Sequence, residues 1–185
     1  MIEALFPTLL CRENLGALID NNYLYQKSLE MKKDVKEKHL WDSVYNTLGT
    51  IDITLDPEVR RLVEVCKYIV MNFSREFGYK NPKVECIDCW FNVYEHGDYQ
   101  EDHIHGKSHF SLVYYVKVPE NSGSIVFTSC DGVNDTFSLA LNIVDYTVVP
   151  CESEVILFRS NLHHRVHKNR SNEHRVSIAM NFKVE

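Results

Sequence analysis

Apolar positions recur along this chain with two periods, and the change from one to the other falls near residue 81. Before it the spacing is helical. Val59, Leu62, Val63, Cys66, Ile69, Val70 and Phe73 come every three or four residues and predict a helix with a wide apolar stripe, running to about Phe77. Asp56 and Pro57 supply its N-cap and first turn, and Gly78 its stop. Leu15, Leu18, Ile19 and Tyr23 predict an earlier helix over residues 12–28, entered from an apolar strand in residues 1–10. Residues 30–38 are a charged, solvated run, residues 40–53 carry no clear period, and Gly49 marks a turn before a short extended piece at 51–55.

Beyond residue 81 the apolar positions alternate, which places successive side chains on opposite faces of a strand. Strands are predicted at 83–94, 99–105, 110–118, 123–127, 142–149, 154–159, 165–167 and 175–184. Turn chemistry separates them at Gly97-Asp98, 119–123, Asp131-Gly132 and 169–172. Strands in such number after a helical segment point to a mainly β fold, a double-stranded β-helix of the jelly-roll or cupin-like kind with its helices braced on one face. No linker or repeat divides the chain, so one domain over 1–185 is expected, with helical support in 1–80 and a β-barrel core in 81–185.

Composition narrows the function classes. At 185 residues, 44% hydrophobic and 25% charged, the chain can bury its own core without staples. A net charge of −6 without a sustained basic face argues against nucleic acid, which needs many phosphate contacts. No apolar run is long enough to span a bilayer and no secretory leader is legible, so a cytoplasmic protein without a membrane partner is expected. The scattered cysteines Cys11, Cys66, Cys86, Cys89, Cys130 and Cys151 then read as reduced thiols. Cys86 and Cys89 form a C-x-x-C, but inside an extended apolar run and without a second pair, which favours a packing role over zinc or redox chemistry.

The candidate chemistry lies in histidines. In Asp102-His103-Ile104-His105 the two imidazoles share one face of an extended segment, while Asp102 and Ile104 face the other way. One further imidazole from His163-His164 would close a three-ligand face on an octahedral ion, leaving positions open for substrate or oxygen. His96, His109, His167 and His174 have no assigned partner and read as surface or satisfied-core groups. Asn92, Tyr94, Tyr99 and Tyr115 are candidate pocket-wall residues, Tyr94 first because it precedes the glycine turn leading into the histidine pair. Trp41 and Trp90 read as packing residues.

The ordered set Tyr94-x-x-Gly97, His103-x-His105, Leu162-x-His164-x-Val166 and Arg175-x-Ser177 resembles the Fe(II)- and 2-oxoglutarate-dependent oxygenases. The likeness is greatest to a small branch of that superfamily found in marine bacteria and their phages. It is carried by NVYEHGDYQEDHIHGKSHFSLVYYVKVPENSG and ESEVILFRSNLHHRVHKNRSNEHRVSIAMNF, and the opening IEALFPTLL is similar as well. The resemblance implies that His103 and His164 ligate iron, with the third ligand two residues after His103. It implies too that Arg175 grips the distal carboxylate of 2-oxoglutarate, which chelates the metal through its 1-carboxylate and 2-keto oxygens. A guanidinium fork suits a carboxylate, and Ser177, on the same face of the strand, is placed to assist; Tyr94 and Asn92 are the further cosubstrate candidates.

The chain departs from the pattern at His105, where relatives carry an aspartate or glutamate. Three imidazoles leave the ion its full double charge. Asp102 would substitute only if the strand kinks, whereas Glu101 shares the parity of His103; both stay open beside His105. The implied activity is oxidative decarboxylation of 2-oxoglutarate coupled to hydroxylation of a small molecule or protein side chain, with dioxygen as co-reactant. Two other readings compete: a cupin-type three-histidine dioxygenase that needs no 2-oxoglutarate, and a module that binds metal or organic acid without turnover. Neither substrate nor oligomeric state is legible, and a homodimer is compatible with the sequence.

Overall fold

Two antiparallel sheets carry the described residues of the computed structural model, which are 1–3, 7–34, 43–129 and 145–185. The strands in chain order are β1 (Leu10–Asn14), β2 (Tyr45–Asn46), β3 (Val84–Tyr94), β4 (Gln100–His103), β5 (Phe110–Lys117), β6 (Ile125–Thr128), β7 (Asp145–Val148), β8 (Glu154–Arg159), β9 (His163–Val166) and β10 (Arg175–Val184). The larger sheet has the order β1-β8-β5-β10-β3-β2 and the smaller β4-β9-β6-β7. Two helices, α1 (Asn21–Asp34) and α2 (Pro57–Arg75), cover the outer face of the larger sheet.

Alternation along the strands builds both cores. Phe91, Val93, Leu112, Tyr114, Val155, Leu157, Val176, Ile178 and Met180 point outward and pack with Leu62, Cys66, Ile69 and Phe73 of α2. Their neighbours point inward, where Tyr115, Ile156 and Phe158 meet Ile125, Phe127 and Val148 of the smaller sheet. Each such side chain withdrawn from water contributes about 1.5–3 kcal/mol relative to exposure, which is why neither face tolerates a one-residue slip in register. The inward row also carries the polar residues Asn92, Ser111, Arg175, Ser177 and Asn181, all buried.

The α2 stripe is buried as its spacing predicts, and Asp56 caps the helix by accepting from the backbone N–H groups of Glu58 and Val59 at 2.9 and 3.2 Å. The predicted strands from 83 onward are present, with β4 ending at His103 and β9 starting at His163. The N-terminal segment differs from its prediction. Residues 10–14 form a strand paired with β8, Leu10 opposite Phe158 and Asn14 opposite Glu154, and the helix begins only at Asn21. Long-range ladder pairing outweighs the weak helical spacing here. Leu15 and Ile19 are buried but Leu18 and Tyr23 are exposed, and Asp20 marks the real helix start by accepting from Tyr23 N–H at 3.0 Å. Residues 53–55 form a 3-10 turn rather than an extended piece, nucleated by Asp52, whose side chain accepts from Thr54 N–H. Trp90 is buried on the inner wall, and Cys86 and Cys89 pack against the helix-side core. Trp41, Cys130, the Asp131-Gly132 turn and the start of the strand predicted at 142–149 lie outside the described residues. Among the described residues no helix is long and apolar enough to cross a membrane.

Candidate metal centre

Strands β4 and β9 run antiparallel with His103 directly opposite His164, so their side chains share one face and meet, ring centroids 4.2 Å apart. His105 arrives from the turn beyond β4, held by its backbone N–H on the carbonyl of Ser160 at 2.8 Å. Its ring lies 5.0 Å from that of His103 and 5.2 Å from that of His164. One ligand atom from each of the three falls within 4.8 Å of the others, a span over which a single cation can be shared.

The hydrogen bonds settle which nitrogen is available. His103 Nδ1 is 2.8 Å from the carbonyl of Glu101 and His164 Nδ1 is 2.8 Å from the carbonyl of Leu162. A carbonyl only accepts, so in both rings Nδ1 carries the proton and Nε2 keeps its lone pair. This is the outer hydrogen bonding that orients metal-ligating histidines. The ring of His105 makes no hydrogen bond among the described residues. The rings of Phe158 and Phe127, 4.7 and 6.3 Å from His164, wall the group on its apolar side.

Burial holds all three imidazoles below the usual value of 6.5: His103 is lowered, His105 to about 4 with help from repulsion by His103, and His164 well below. They are therefore neutral near pH 7, the form in which imidazole binds metal. Because the folded values lie under the unfolded value, the unfolded chain binds more protons as pH falls. The stability these groups contribute is whole above pH 6.5 and is lost on the way down towards pH 4. Thermal melts of the metal-free protein should show the midpoint falling already between about pH 6.5 and pH 5, before most carboxylates titrate. A flat or rising midpoint over that window would contradict it.

Asp102 faces away from the three rings, as strand parity requires, and its Oδ2 accepts from His163 Nδ1 at 2.7 Å on the surface. Glu101 accepts from Ser43 Oγ at 2.9 Å and from Gln100 Nε2 at 3.2 Å. Neither carboxylate stands in the group that His103, His105 and His164 form. Three of the other histidines are occupied elsewhere, His96 against Ser171 O at 3.1 Å, His109 accepting from Val184 N–H at 3.0 Å, and His174 beside Glu95 at 3.7 Å, and His167 is exposed on the surface.

The same three rings line a cavity of about 110 Å³ whose far end is Arg175, 1% exposed. Arg175 opens β10 opposite Tyr94, and its guanidinium carbon sits 4.4 Å from the centre of the Tyr94 ring and 5.8 Å from that of Tyr115. Its Nη1 donates to the carbonyl of Ser122 at 3.3 Å, and its Nε has no partner among the described residues. The hydroxyls of Tyr115 and Ser122 are likewise buried and unpaired, and burial raises the phenols of Tyr94 and Tyr115 so that both stay protonated donors. A buried cation without a counter-charge costs several kcal/mol, and each idle buried donor about 1–3 kcal/mol. An incoming carboxylate would satisfy the fork and offset that cost. The donor set at this end thus suits an organic acid, and the set at the other suits a divalent cation.

Of the residues singled out from sequence, the structure brings His103, His105, His164, Arg175, Ser177, Asn92, Tyr94 and Tyr115 to one cavity. Tyr99 does not join them; it is 37% exposed beneath Lys168. Sequence reasoning missed Ser122, which lies in a predicted turn and has no periodic signal. It also missed Ser111 and Asn181 on the cavity wall, although Asn181 shares the parity of Arg175 and Ser177 and was findable on that ground.

A family model described as "Putative 2OG-Fe(II) oxygenase" matches residues 88–181. None of the curated proteins is detectably similar in sequence. Among solved structures, an oxidoreductase of the 2OG-Fe(II) oxygenase family from Burkholderia pseudomallei superposes with a TM-score of 0.64 at 14% identity, covering 94% of this chain and 84% of that one. A prolyl-4-hydroxylase from Pseudomonas putida gives 0.64 at 14%, covering 95% and 92%. A prolyl hydroxylase from Trichoplax adhaerens, in complex with a hypoxia inducible factor peptide fragment, gives 0.68 at 14%, covering 94% and 83%. These likenesses show the fold, a double-stranded β-helix.

Proposed function

The chain belongs to the 2OG-Fe(II) oxygenase family, and we propose that His103, His105 and His164 hold its iron while Arg175 seats the distal carboxylate of 2-oxoglutarate. Iron and 2-oxoglutarate, when bound, supply the activation of dioxygen, with oxidative decarboxylation of the cosubstrate to succinate and carbon dioxide. The observation that carries the assignment is the guanidinium of Arg175, buried with no counter-charge among the described residues in the same cavity as three neutral imidazoles.

The chain's own residues prepare the site. The carbonyls of Glu101 and Leu162 fix two imidazoles with Nε2 presented inward. Tyr94 and Tyr115 flank the guanidinium and keep it in place before a carboxylate arrives, and Ser177, two residues along the same face, adds a hydroxyl. Asn92, opposite Ser177 across the ladder, is oriented by Trp90 Nε1, which donates to its Oδ1 at 3.2 Å. Phe127 and Phe158 keep water from the His164 side. The cupin-type alternative, which needs no 2-oxoglutarate, leaves the idle donors around Arg175 unexplained, and formation of succinate separates the oxygenase from a module that binds an organic acid without turnover.

The hydroxylated substrate is a protein side chain or a small molecule; the structural neighbours include both prolyl hydroxylases and enzymes of nogalamycin biosynthesis. We read the whole chain as one such domain, since α1 and α2 share a core with the larger sheet. A reducing, cytoplasmic setting belongs to the same reading, supported by the free thiols of Cys11, Cys66, Cys86, Cys89 and Cys151.

Anaerobic titration with Fe(II) followed by 2-oxoglutarate tests the proposal: a weak charge-transfer absorption should appear, and succinate should form on admission of air. No binding of 2-oxoglutarate up to millimolar concentration would refute it.

A further inference from the structure

His105 is the member of the imidazole group whose ring is unanchored, and it stands where relatives carry a carboxylate. A chain of polar contacts runs from its backbone to a single acid. Ser160, whose carbonyl accepts from His105 N–H at 2.8 Å, has its hydroxyl 2.9 Å from that of Ser111. Ser111 donates to Asn181 Oδ1 at 2.8 Å, and Asn181 Nδ2 donates to Asp88 Oδ2 at 3.1 Å. Ser111 and Asn181 are both buried on the cavity wall, and Asp88 lies directly opposite Asn181 in the β3–β10 ladder.

Two residues along β3 from Asp88, on the same inward row, the Trp90 ring packs 5.9 Å from that of His105. Asp88 is half-buried and forms no ion pair among the described residues, so its charge is free to act on its surroundings.

We propose that Asp88 is the outer-sphere carboxylate of this centre: it accepts, directly or through one water, the ring N–H that His105 leaves unpaired, and it returns the negative charge lost with the usual acidic ligand. The proposal rests on the reading of His103, His105 and His164 as metal ligands. Its physical basis is general. A ligating imidazole that donates its second N–H to a carboxylate is held in one tautomer and becomes a better donor to the metal. His103 and His164 use backbone carbonyls for that purpose, which orient but bring no charge. With three neutral ligands the dication keeps its full charge, and an anion beyond the first ring of ligands is what remains to offset it. Asn181 and the serines behind it make Asp88 a fixed anion rather than a mobile surface one. Asp88 is accordingly a positioning residue, acting through His105.

Cobalt(II) affinity of the metal-free protein, measured by competition with a chelator and by the visible ligand-field spectrum, separates the two claims. Asp88→Asn keeps the shape and an acceptor for Asn181. It should weaken cobalt binding by about 10- to 100-fold and shift the spectrum, with Asp88→Glu restoring most of the affinity. In a His105→Asp background, where a ligating carboxylate supplies the charge, adding Asp88→Asn should cost no more than about threefold. Asp88→Ser serves as a second neutral variant if Asp88→Asn folds poorly. If the neutral variants bind cobalt within about twofold of the wild type while His164→Ala abolishes binding, the role of Asp88 is overturned and the histidine site stands. If the wild type itself binds no cobalt, both fall.

Discussion

Replacing His164 with alanine is expected to lower affinity for Fe(II) or Co(II) by more than the roughly 100-fold that loss of an outer-shell partner alone can cost. The ring is almost wholly buried, 4% exposed, and lies opposite His103 in the β4–β9 ladder. No neighbouring side chain can swing into its place: His163 points outward to Asp102, and Phe127 and Phe158 occupy the rest of the wall. The fold should survive, because the ladder is made by backbone groups and the deletion removes a polar ring rather than a core hydrocarbon. Metal content after dialysis against a buffered metal solution, with far-ultraviolet circular dichroism as the check on folding, decides it. His163→Ala is the paired control and should retain the metal; equal loss in both variants would mean that the register-based choice of His164 is wrong.

The second large effect concerns Arg175. Arg175→Met should reduce 2-oxoglutarate affinity by roughly 30- to 5,000-fold, the equivalent of the ~2–5 kcal/mol lost when one partner of a buried, hydrogen-bonded charge pair is removed. The same substitution should leave the melting temperature of the ligand-free protein within a few degrees of wild type. In the absence of a carboxylate the guanidinium is a buried cation with a long hydrogen bond to the Ser122 carbonyl and an Nε that has no partner among the described residues, offset by its contacts with Tyr94 and Tyr115. Methionine removes the desolvation cost of several kcal/mol along with the cation–π gain of about 2 kcal/mol, so the ligand-free fold loses no net stabilisation. Isothermal titration in the presence of metal, with a thermal melt alongside, measures both halves. Unfolding of the variant would make Arg175 a structural residue, and undiminished 2-oxoglutarate binding would remove the cosubstrate from the site.

Legibility from sequence followed the range of the interaction concerned. The α2 stripe and its Asp56 cap are local: hydrogen bonds and side-chain neighbours lie within one or two turns, so spacing alone predicts them. Strands β3, β5, β8 and β10 alternate strongly because each has an apolar helix-side row, and β10 displays its two rows plainly, Val176, Ile178 and Met180 against Arg175, Ser177 and Asn181. The N-terminal strand was not legible. Its five residues, LCREN, carry no alternation, and what makes them a strand is an edge of β8 more than a hundred positions away.

Within the site the division is the same. Parity along the strand predicted at 99–105 puts His103 and His105 on one face and Asp102 on the other; β4 ends at His103, yet His105 still turns its ring to the same group while Asp102 pairs with His163. Parity could not choose between His163 and His164, because turns interrupt the count between strands; the pairing of His103 with His164 makes that choice. Nor could it reveal that Ser122 supplies the acceptor for Arg175, or that Asp88 is tethered by Asn181, since both contacts cross between strands far apart in the chain.

By itself, then, the sequence determined the kinds of chemistry available: imidazoles spaced for one face, a guanidinium and a hydroxyl on a shared row, and a mainly β scaffold to carry them. Which of these meet, and that the guanidinium is buried with no counter-charge among the described residues, is settled by the tertiary structure alone. The reason is that side-chain periodicity is a property of a single strand, whereas convergence and burial depend on the register between strands and on the closure of one sheet over another.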